Sequence, residues 1–206
     1  MYIPKHFLTT DREEIVSFIK QYSFGTIINT KNNHPIATHL PFLVSVKDDI
    51  VILSAHFAKA NPQWEIIAEN PSLIIFSEPH AYISPQHYEK ELNVPTWNYF
   101  SVHAYGQGKI LSDPAQTYKV LESTINSYEP GYKKQWDSLP EDYKSKMVKG
   151  IVAFEIEVTD LQAKKKLSQN RTESEKEKII NALSSSDNQN ERDIAKYMSQ
   201  LNESGK

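Results

Sequence analysis

Three polar side chains stand where a predicted strand passes into a predicted helix, in the segment SAHFAKANPQW. They are His56, Lys59 and Asn61. The first backbone N–H groups of a helix lack partners within it, so an anion such as a phosphate group would be bound there by those groups and by the lysine. The alternative is a solvated lysine next to an asparagine that caps the helix. The sequence leaves these two interpretations open.

A second group of hydrogen-bond donors follows the last predicted strand, in the segment KKKLSQNR. Gln169 and Arg171 stand here beside Ser168 and Asn170. A guanidinium group can hold a phosphate through two parallel hydrogen bonds, which makes Arg171 a candidate ligand. The alternative is an ordinary solvated face, which is what a run of basic residues usually indicates.

Two further features are compatible with ligand binding but do not require it. His39 interrupts the otherwise apolar strand IATHLPF, where an imidazole serves either a ligand or the packing of a core or interface. Residues 77–99 are rich in aromatic residues and proline and connect two strands. They form either a lid over a planar ligand or a packed surface loop.

Residues 97–110 predict a strand with two unlike faces. The even positions from Asn98 to Ile110 are mostly small or apolar, which indicates a face that belongs in a core. The opposite face carries Trp97, Tyr99, Ser101, His103, Tyr105 and Gln107. Large side chains with polar tips are typical of an interface, so we expect this face to meet a second subunit. The alternative is that helices of the same chain cover it.

Composition excludes several kinds of chemistry. The chain of 206 residues has no cysteine, so disulfides, thiolate nucleophiles, iron–sulfur clusters and cysteine zinc sites are excluded. The motifs of serine hydrolases, zinc proteases, P-loop proteins and dinucleotide-binding folds do not occur in the sequence. A net charge of −3 predicts no general attraction to nucleic acid or to an anionic membrane. Without a long apolar run or a signal peptide, a cytoplasmic protein is expected.

The predicted elements that position these residues are mostly strands. A capping box formed by Thr10 and Glu13 begins the first helix. Alternating apolar residues and turn signals predict strands over 24–30, 35–44, 49–57, 72–78, 94–110 and 150–161. Short helices are predicted over 60–70 and 140–148. A longer helix begins at Asp113-Pro114, with a buried stripe of Tyr118, Leu121, Ile125 and Tyr128.

This order of elements predicts a mainly β protein with peripheral helices. Closing the strands into a barrel, wholly or nearly, would remove exposed sheet edges. From Thr172 onward the chain is highly polar, with two helical stretches whose apolar faces are thin. We therefore expect a main domain over residues 1–171 and a helical extension over residues 172–206.

Nine segments resemble one known family in order and spacing. They are MYIPKHF, SFGTIINT, ATHLPF, AHFAKANPQW, PHAYISP, VPTWNY, VHAYGQG, KGIVAFEIEV and KLSQNR. Over residues 1–171 the chain resembles the PaiB-type FMN-binding negative transcriptional regulators, a branch of the FMN-binding split barrels that include the pyridoxamine-phosphate oxidases. The resemblance implies a split β-barrel with a helical tail, a homodimer, and FMN in the dimer interface.

The resemblance also implies a role for each candidate residue. ATHLPF matches the strand that lies against the isoalloxazine ring, so His39 and Leu40 are implied as ring contacts. AHFAKANPQW matches the phosphate-binding segment. It implies phosphate contacts by His56, Lys59 and Asn61.

The matches elsewhere in the chain complete the implied site. TWNYFSVHAYGQG matches a strand whose amide side chain contacts the flavin, which implies Asn98 with Trp97 beside it. KLSQNR matches a terminal segment that contains an arginine, which implies Gln169 and Arg171, from the same or the partner subunit.

Three functions are compatible with these implications. The first is negative regulation of transcription, directly on DNA or through another protein. An acidic chain without a recognisable DNA-reading element should bind DNA weakly and lose it as salt rises. The second is a flavin-dependent oxidoreductase that uses a reduced nicotinamide and a small molecule. The third, a weaker alternative, is the binding or degradation of haem.

Overall fold

The structure is a computed structural model that describes residues 1–204, the last three of them by their backbone alone. The final two residues of the predicted helical extension lie outside the described residues. Within the described chain the strands are β1 (Leu8–Thr9), β2 (Phe24–Lys31), β3 (His34–Pro41), β4 (Leu43–Lys47), β5 (Ile50–Ala58), β6 (Pro71–Phe76), β7 (His80–Ile83), β8 (Thr96–Ile110) and β9 (Ile151–Lys166). The α-helices are α1 (Arg12–Gln21), α2 (Pro114–Tyr128), α3 (Lys133–Ser138), α4 (Glu141–Lys149), α5 (Glu173–Ser184) and α6 (Gln189–Ser204).

The strands form one sheet in the order β3-β2-β6-β8-β9-β5-β4, with β1 paired to β9 and β7 paired to β8. The registers given for these pairings are antiparallel. β3 and β4 stand at the two ends of this order, so each has one edge without a neighbouring strand among the described residues. The predicted mainly β fold with peripheral helices is confirmed.

The chain forms two compact units. The sheet unit comprises Val16–Phe76 and His103–Leu161, and the tail unit comprises Met1–Ile15, Ser77–Val102 and the residues from Gln162 onward. Residues 172–204 therefore share a unit with two earlier segments. The predicted division at residue 171 stays a prediction.

Tight turns and aromatic packing build the sheet unit. The β2–β3 hairpin turns at Asn32 and Asn33, with φ of 52° and 62°, and the β4–β5 hairpin turns at Asp48 and Asp49, with φ of 49° and 63°. Asn and Asp tolerate this left-handed conformation, which two-residue hairpin turns require. Four phenylalanines pack in the core, with ring centroids 4.8–6.3 Å apart in the contacting pairs: Phe42, Phe57, Phe76 and Phe154.

The tail unit has its own apolar core, to which α5 and α6 contribute one face each. The buried members are Ala81, Ile83, Tyr88, Leu167, Ile179, Leu183, Ile194, Ala195 and Met198. A capping box begins α5, in which Thr172 accepts from the backbone of Glu175 and Glu175 accepts from the backbone of Thr172. The thin apolar faces predicted for the two tail helices are confirmed, because burying them completes this core.

Several predicted details are wrong. Helix α1 begins at Arg12 and is capped by Asp11, whose carboxylate accepts from the backbone N–H groups of Glu13 and Glu14, and not by a Thr10–Glu13 capping box. The predicted strand 35–44 is broken at Phe42. The backbone N–H of Phe42 donates to the carbonyl oxygen of Ser23, which lies between α1 and β2.

The buried face of α2 also differs from the predicted stripe. Asp113 caps α2 and Pro114 occupies its first turn, as predicted, but its buried residues are Thr117 and Val120. Tyr128 is half-exposed. Residues 60–70 contain only a 3₁₀ turn, Pro62–Glu65, whereas β7 and α3 were not predicted.

The predicted two-faced character of β8 is confirmed on its core side. The even residues from Asn98 to Gly108 are all buried, whereas Trp97 and Gln107 on the opposite face are exposed. Gly106 has no room for a side chain, because a Cβ there would lie 2.2 Å from the carbonyl oxygen of Glu157 and 2.7 Å from Cγ2 of Ile156.

We predict that Gly106→Ala lowers the free energy of unfolding by about 2 kcal/mol, since the extra methyl group must push β9 away. Gly131→Ala is the matched control, because no atom lies within 4 Å of a Cβ at that position. Urea denaturation followed by circular dichroism measures both. Equal unfolding midpoints for the two variants would contradict the close approach of β8 and β9.

Candidate functional site

A buried glutamine organises the part of the sheet unit that contains the first candidate cluster. Gln63, in the turn Pro62–Glu65, is 0% exposed. Its Nε2 donates to the carbonyl oxygen of Ile27 at 3.2 Å and to Oδ1 of Asn29 at 2.9 Å, both in β2. Its Oε1 accepts from Oγ1 of Thr38 in β3 at 2.6 Å. One side chain thus joins the turn to two strands.

The sequence patterns do not indicate Gln63, Asn29 and Thr38 as members of a network. Each is a common polar residue, and no spacing in the sequence distinguishes these three from solvated side chains. The one available signal is that Gln63 follows the cap and proline of the turn, which places it near the start of a short helix. The register of β2 against β3 then decides which polar atoms it meets.

The side chain of Asn61 is engaged on both sides within this network. Its Oδ1 accepts from the backbone N–H of Gln63 at 2.9 Å, and its Nδ2 donates to Oγ1 of Thr38 at 2.9 Å. The sequence interpretation of Asn61 as a cap is confirmed. Its predicted contact with a phosphate stays a prediction.

Lys59 is exposed and stands just before this turn. Its Nζ lies 3.8 Å from the centroid of the Trp64 ring, and its carbonyl oxygen accepts from the Trp64 indole N–H at 3.1 Å. Its backbone N–H donates to Gly150 at 2.8 Å. Among the described residues Lys59 has no carboxylate partner, and its exposed ammonium group lies on the Trp64 ring.

His39 and Leu40 lie on β3, an end strand of the sheet. The exposed ring of His39 is fixed by a hydrogen bond between its Nδ1 and Oγ1 of Thr26, 2.9 Å long, and it stacks on Phe24 with ring centroids 6.3 Å apart. Phe24 is itself 70% exposed. The open backbone edge of β3 and these exposed rings offer hydrogen bonds and a flat apolar surface.

His56 lies on β5 opposite Ala153 and is partly buried. Burial lowers the pKa of His56 from 6.5, because an imidazolium loses its hydration there. At neutral pH this residue is therefore uncharged. It can offer a neutral imidazole to a ligand, whereas a cationic contact with a phosphate would come from Lys59.

Asn98 is 0% exposed and lies in the tail unit. Its Nδ2 donates to Oγ of Ser168 at 3.0 Å and lies 3.5 Å from the sulfur of Met198 in α6. Ser168 has a φ of 59°, which a serine rarely adopts. Its bonds to Asn98 help to hold this strained conformation. A direct contact between Asn98 and a ligand would have to replace these interactions.

Trp97, the neighbour of Asn98, is half-exposed. Its ring meets the edges of His80 and Tyr82 on β7, with centroids 5.6 Å and 6.0 Å away. The cross-strand pairing of Tyr82 with Trp97 places these aromatic rings on one face of the β7–β8 hairpin.

Gln169 and Arg171 are both engaged within the tail unit. The amide of Gln169 accepts from the N–H of Leu167 at 2.7 Å and donates to the carbonyl oxygen of Lys165, which closes the turn after β9. The guanidinium of Arg171 lies 3.6 Å from the centroid of Tyr88 and donates to Oδ1 of Asn93 at 2.9 Å. Its predicted grip on a phosphate stays a prediction.

The nine predicted contacts fall into two sets. His39, Leu40, His56, Lys59 and Asn61 belong to the sheet unit, and Trp97, Asn98, Gln169 and Arg171 belong to the tail unit. Within the sheet unit, Asn61 and the strand of His39 are joined through Thr38. The convergence of the two sets on one ligand stays a prediction.

The residues of the sheet unit fit FMN by their chemistry. A phosphate requires a cation and hydrogen-bond donors, and the exposed Lys59, which has no carboxylate partner among the described residues, stands two residues before the cap of the turn, Asn61. An isoalloxazine ring requires a flat surface and backbone donors and acceptors, which the open edge of β3 and the exposed ring of Phe24 offer. No cluster of metal-ligating side chains occurs among the described residues.

Comparison with solved structures defines the class of fold. The chain is similar to the FAD and heme binding protein of Mycobacterium smegmatis, with a TM-score of 0.62 and 17% identity over 77% of this chain and 73% of that one. It is also similar to the flavocytochrome Anf3 of Azotobacter vinelandii, with a TM-score of 0.65 and 14% identity over 80% and 72%. The fold is therefore that of the split-barrel proteins.

Comparison of sequences identifies the family. Residues 1–160 match the family described as "Putative FMN-binding domain", and the chain belongs to it. The chain is also 42% identical, over 201 residues and 96% of both chains, to "Protease synthase and sporulation protein PAI 2" of Bacillus subtilis. The predicted resemblance and the predicted cofactor, FMN, are confirmed. Within the described residues, no helix is both long enough and apolar enough to span a membrane.

We predict that Asn98 and Ser168 are energetically coupled. Asn98→Ala should lower the free energy of unfolding by about 1–3 kcal/mol, because it leaves a buried hydroxyl unpaired and a cavity behind. Ser168→Ala should do the same, and the double variant should lose less than the sum. Chemical denaturation of the four proteins measures the coupling.

The control for this cycle is Asn170→Ala in the same turn, since Asn170 is exposed. It should change the free energy of unfolding by less than about 0.5 kcal/mol. Strict additivity of Asn98→Ala and Ser168→Ala would show that the buried pair does not stabilise the tail unit.

Proposed function

We propose that this protein is an FMN-binding, homodimeric regulator that represses transcription in the cytoplasm. Membership of the FMN-binding family and 42% identity over nearly the whole chain to the Bacillus subtilis relative support the proposal. The observation that carries it is the juxtaposition of an exposed cation, Lys59, with a turn that is bonded to Thr38 of β3, an end strand of the sheet.

In this proposal Lys59 and the turn at Asn61 hold the phosphate of FMN, with the neutral ring of His56 nearby on β5. His39 and Leu40 present the edge of β3 to the isoalloxazine ring. Asn61 contributes mainly by holding the turn in place, because the oxygen and the nitrogen of its side-chain amide already form hydrogen bonds within the chain. Bound FMN would supply a group that accepts and donates electrons, and hence a means of sensing redox state.

The proposal also gives four residues of the tail unit a role near the flavin. Trp97 and Asn98 stand near the flavin, and Gln169 and Arg171 approach it from the same or the partner subunit. Their present bonds to Ser168, Leu167 and Asn93 are compatible with a role in shaping the surroundings of the ring. A direct contact by Asn98 would require Ser168 to be replaced as its partner.

The homodimer rests on the face of β8 opposite the core. Trp97 and Gln107 on this face are exposed, and Tyr99, His103 and Tyr105 are partly exposed. Ser101 is buried. A row of large side chains with polar tips, exposed at Trp97 and Gln107 and partly exposed between them, is the composition that interfaces favour.

Repression through another protein fits the charges better than repression by direct DNA binding. Three of the basic residues at the start of the tail are engaged within the chain: Lys165 pairs with Glu14, Lys176 pairs with Glu173, and Lys166 bonds to Thr96. Burial also lowers the pKa of Lys166. A protein of net charge −3 in which two of these cations are paired with carboxylates has little attraction for the phosphates of DNA.

The test is a reporter fused to the region upstream of the gene for this chain, in cells with and without that gene. The intact protein should lower reporter expression. Lys59→Ala should relieve most of the repression by weakening FMN binding about tenfold, the loss expected for one charge-assisted bond. Lys31→Ala, at an exposed lysine of the same unit, should repress like the unchanged protein.

A mobility-shift assay with the same DNA fragment separates the direct route from the indirect one. With FMN present we expect no shift at about 0.2 M salt and at most a weak shift at low salt. A strong shift at physiological salt would contradict the indirect route. An unchanged reporter, together with oxidation of a reduced nicotinamide by the FMN-loaded protein, would overturn the regulatory function in favour of the oxidoreductase alternative.

A further inference from the structure

The sheet unit contains a groove that none of the predicted flavin contacts lines. Its volume is about 680 Å³, and its lining comes from the end of α1 and from β4, β5, β9 and α2. Pockets of about 300–1,000 Å³ are the usual size for small-molecule sites. His39, Leu40, His56, Lys59 and Asn61 are not among its lining residues.

Helix α2 presents one unusual face to this groove. The lining positions are Gln116, Lys119, Val120, Ser123 and Ser127, which follow helical spacing along a single side of the helix. A helix that merely packs on a sheet usually carries large apolar residues on that side. Here short hydroxyl side chains leave space and supply hydrogen-bond donors.

The floor of the groove is formed by neighbouring strands in register. Leu43 of β4 is paired with Ser54 of β5, and Ser54 is paired with Glu155 of β9. Directly paired residues point to the same face of a sheet, so an apolar group, a hydroxyl and a carboxylate stand side by side. Phe42 and Leu111 add apolar surface to the same groove.

Two lysines place positive charge along the groove. Lys119 lies in the first half of α2, and Lys20 lies at the end of α1. The hydroxyl groups of Ser23 and Tyr128 share a hydrogen bond that joins the end of α1 to the end of α2.

Neither lysine has a carboxylate partner among the described residues, although Glu155 lines the same groove. Free cations beside a row of hydroxyl groups favour an anion, and the carboxylate of Glu155 favours a ligand that also carries an N–H or O–H donor. The apolar floor favours a ring or chain between these groups.

We propose that this groove binds an organic anion, a carboxylate or phosphate ester with an apolar body and one hydrogen-bond donor, at a site separate from FMN. Lys20 and Lys119 attract the anionic group, Glu155 accepts from the donor, and Ser123 and Ser127 complete the hydrogen bonds. The groove offers a regulator a place for a small effector. Binding of the organic anion to this groove does not depend on how the protein regulates transcription.

The test uses 8-anilinonaphthalene-1-sulfonate, a fluorescent anion with apolar rings and one N–H group, on the full chain. We expect saturable binding to the unchanged protein. The double variant Lys20→Glu/Lys119→Glu should bind it about tenfold more weakly, since two attractions become repulsions, and the affinity should fall with salt. Ser123→Trp should abolish this binding by filling the groove.

Two controls match these variants. Lys31→Glu/Lys134→Glu makes the same change in charge at exposed residues outside the groove, and Ala115→Trp adds the same side chain at an exposed position of α2 that does not line it. Both should bind the probe like the unchanged protein, and circular dichroism confirms that each variant is folded.

Three results would overturn the proposal: no saturable binding of the probe, equal effects of the groove and control variants, or simple competition between the probe and FMN. The last result would assign the groove to the flavin. When the probe does bind the groove, its displacement by a carboxylate is compared with its displacement by a phosphate ester that has the same apolar ring. The stronger competitor identifies the kind of anion that the groove prefers.

Discussion

The candidate flavin site depends on one buried amide, the side chain of Gln63. Its donors and acceptor join the turn Pro62–Glu65 to β2 and β3 at the same time. A buried amide that lost any of these partners would cost about 1–3 kcal/mol for each unpaired group, so the arrangement is strongly specified. Lys59, an exposed cation on the ring of Trp64, stands two residues before the cap of this turn, and β3 presents an open edge. Bonding the turn to β3 therefore positions the segment that contains Lys59 beside an end strand of the sheet.

The tail unit is specified by different interactions. Its core is apolar, and one buried polar pair, Asn98 with Ser168, lies in it beneath Met198 of α6. The backbone of Ser168 is held in a left-handed conformation at this point. Asn98, which the family resemblance implies as a flavin contact, is thus hydrogen-bonded to Ser168 in the segment that contains Gln169 and Arg171. A substitution at Asn98 would therefore disturb this segment, and a substitution in the segment would disturb Asn98, whichever of the two contacts the ligand.

Much of the fold could be predicted from local patterns. The alternation in β8 and β9, the Asp113-Pro114 start of α2 and the apolar faces of the tail helices each reflect a period that neighbouring residues alone determine. The buried face of α2 and strand β7 could not be predicted, because α2 turns Thr117 and Val120 inward and β7 lies in a proline-rich segment that only its pairing with β8 makes a strand. Gln63 was missed for the same reason. Its partners are 25 to 36 residues away, and nothing near it in sequence indicates them.

The central claim is that FMN lies against the open edge of β3. Amide hydrogen exchange of the full chain, with and without saturating FMN, tests this most directly, with β4 as an internal control because it is the other end strand of the sheet. Backbone groups that bond to a ligand exchange more slowly. We expect FMN to slow exchange in β3, around His39 and Leu40, and to leave β4 unchanged. Bound FMN with unchanged exchange in β3 would contradict the claim.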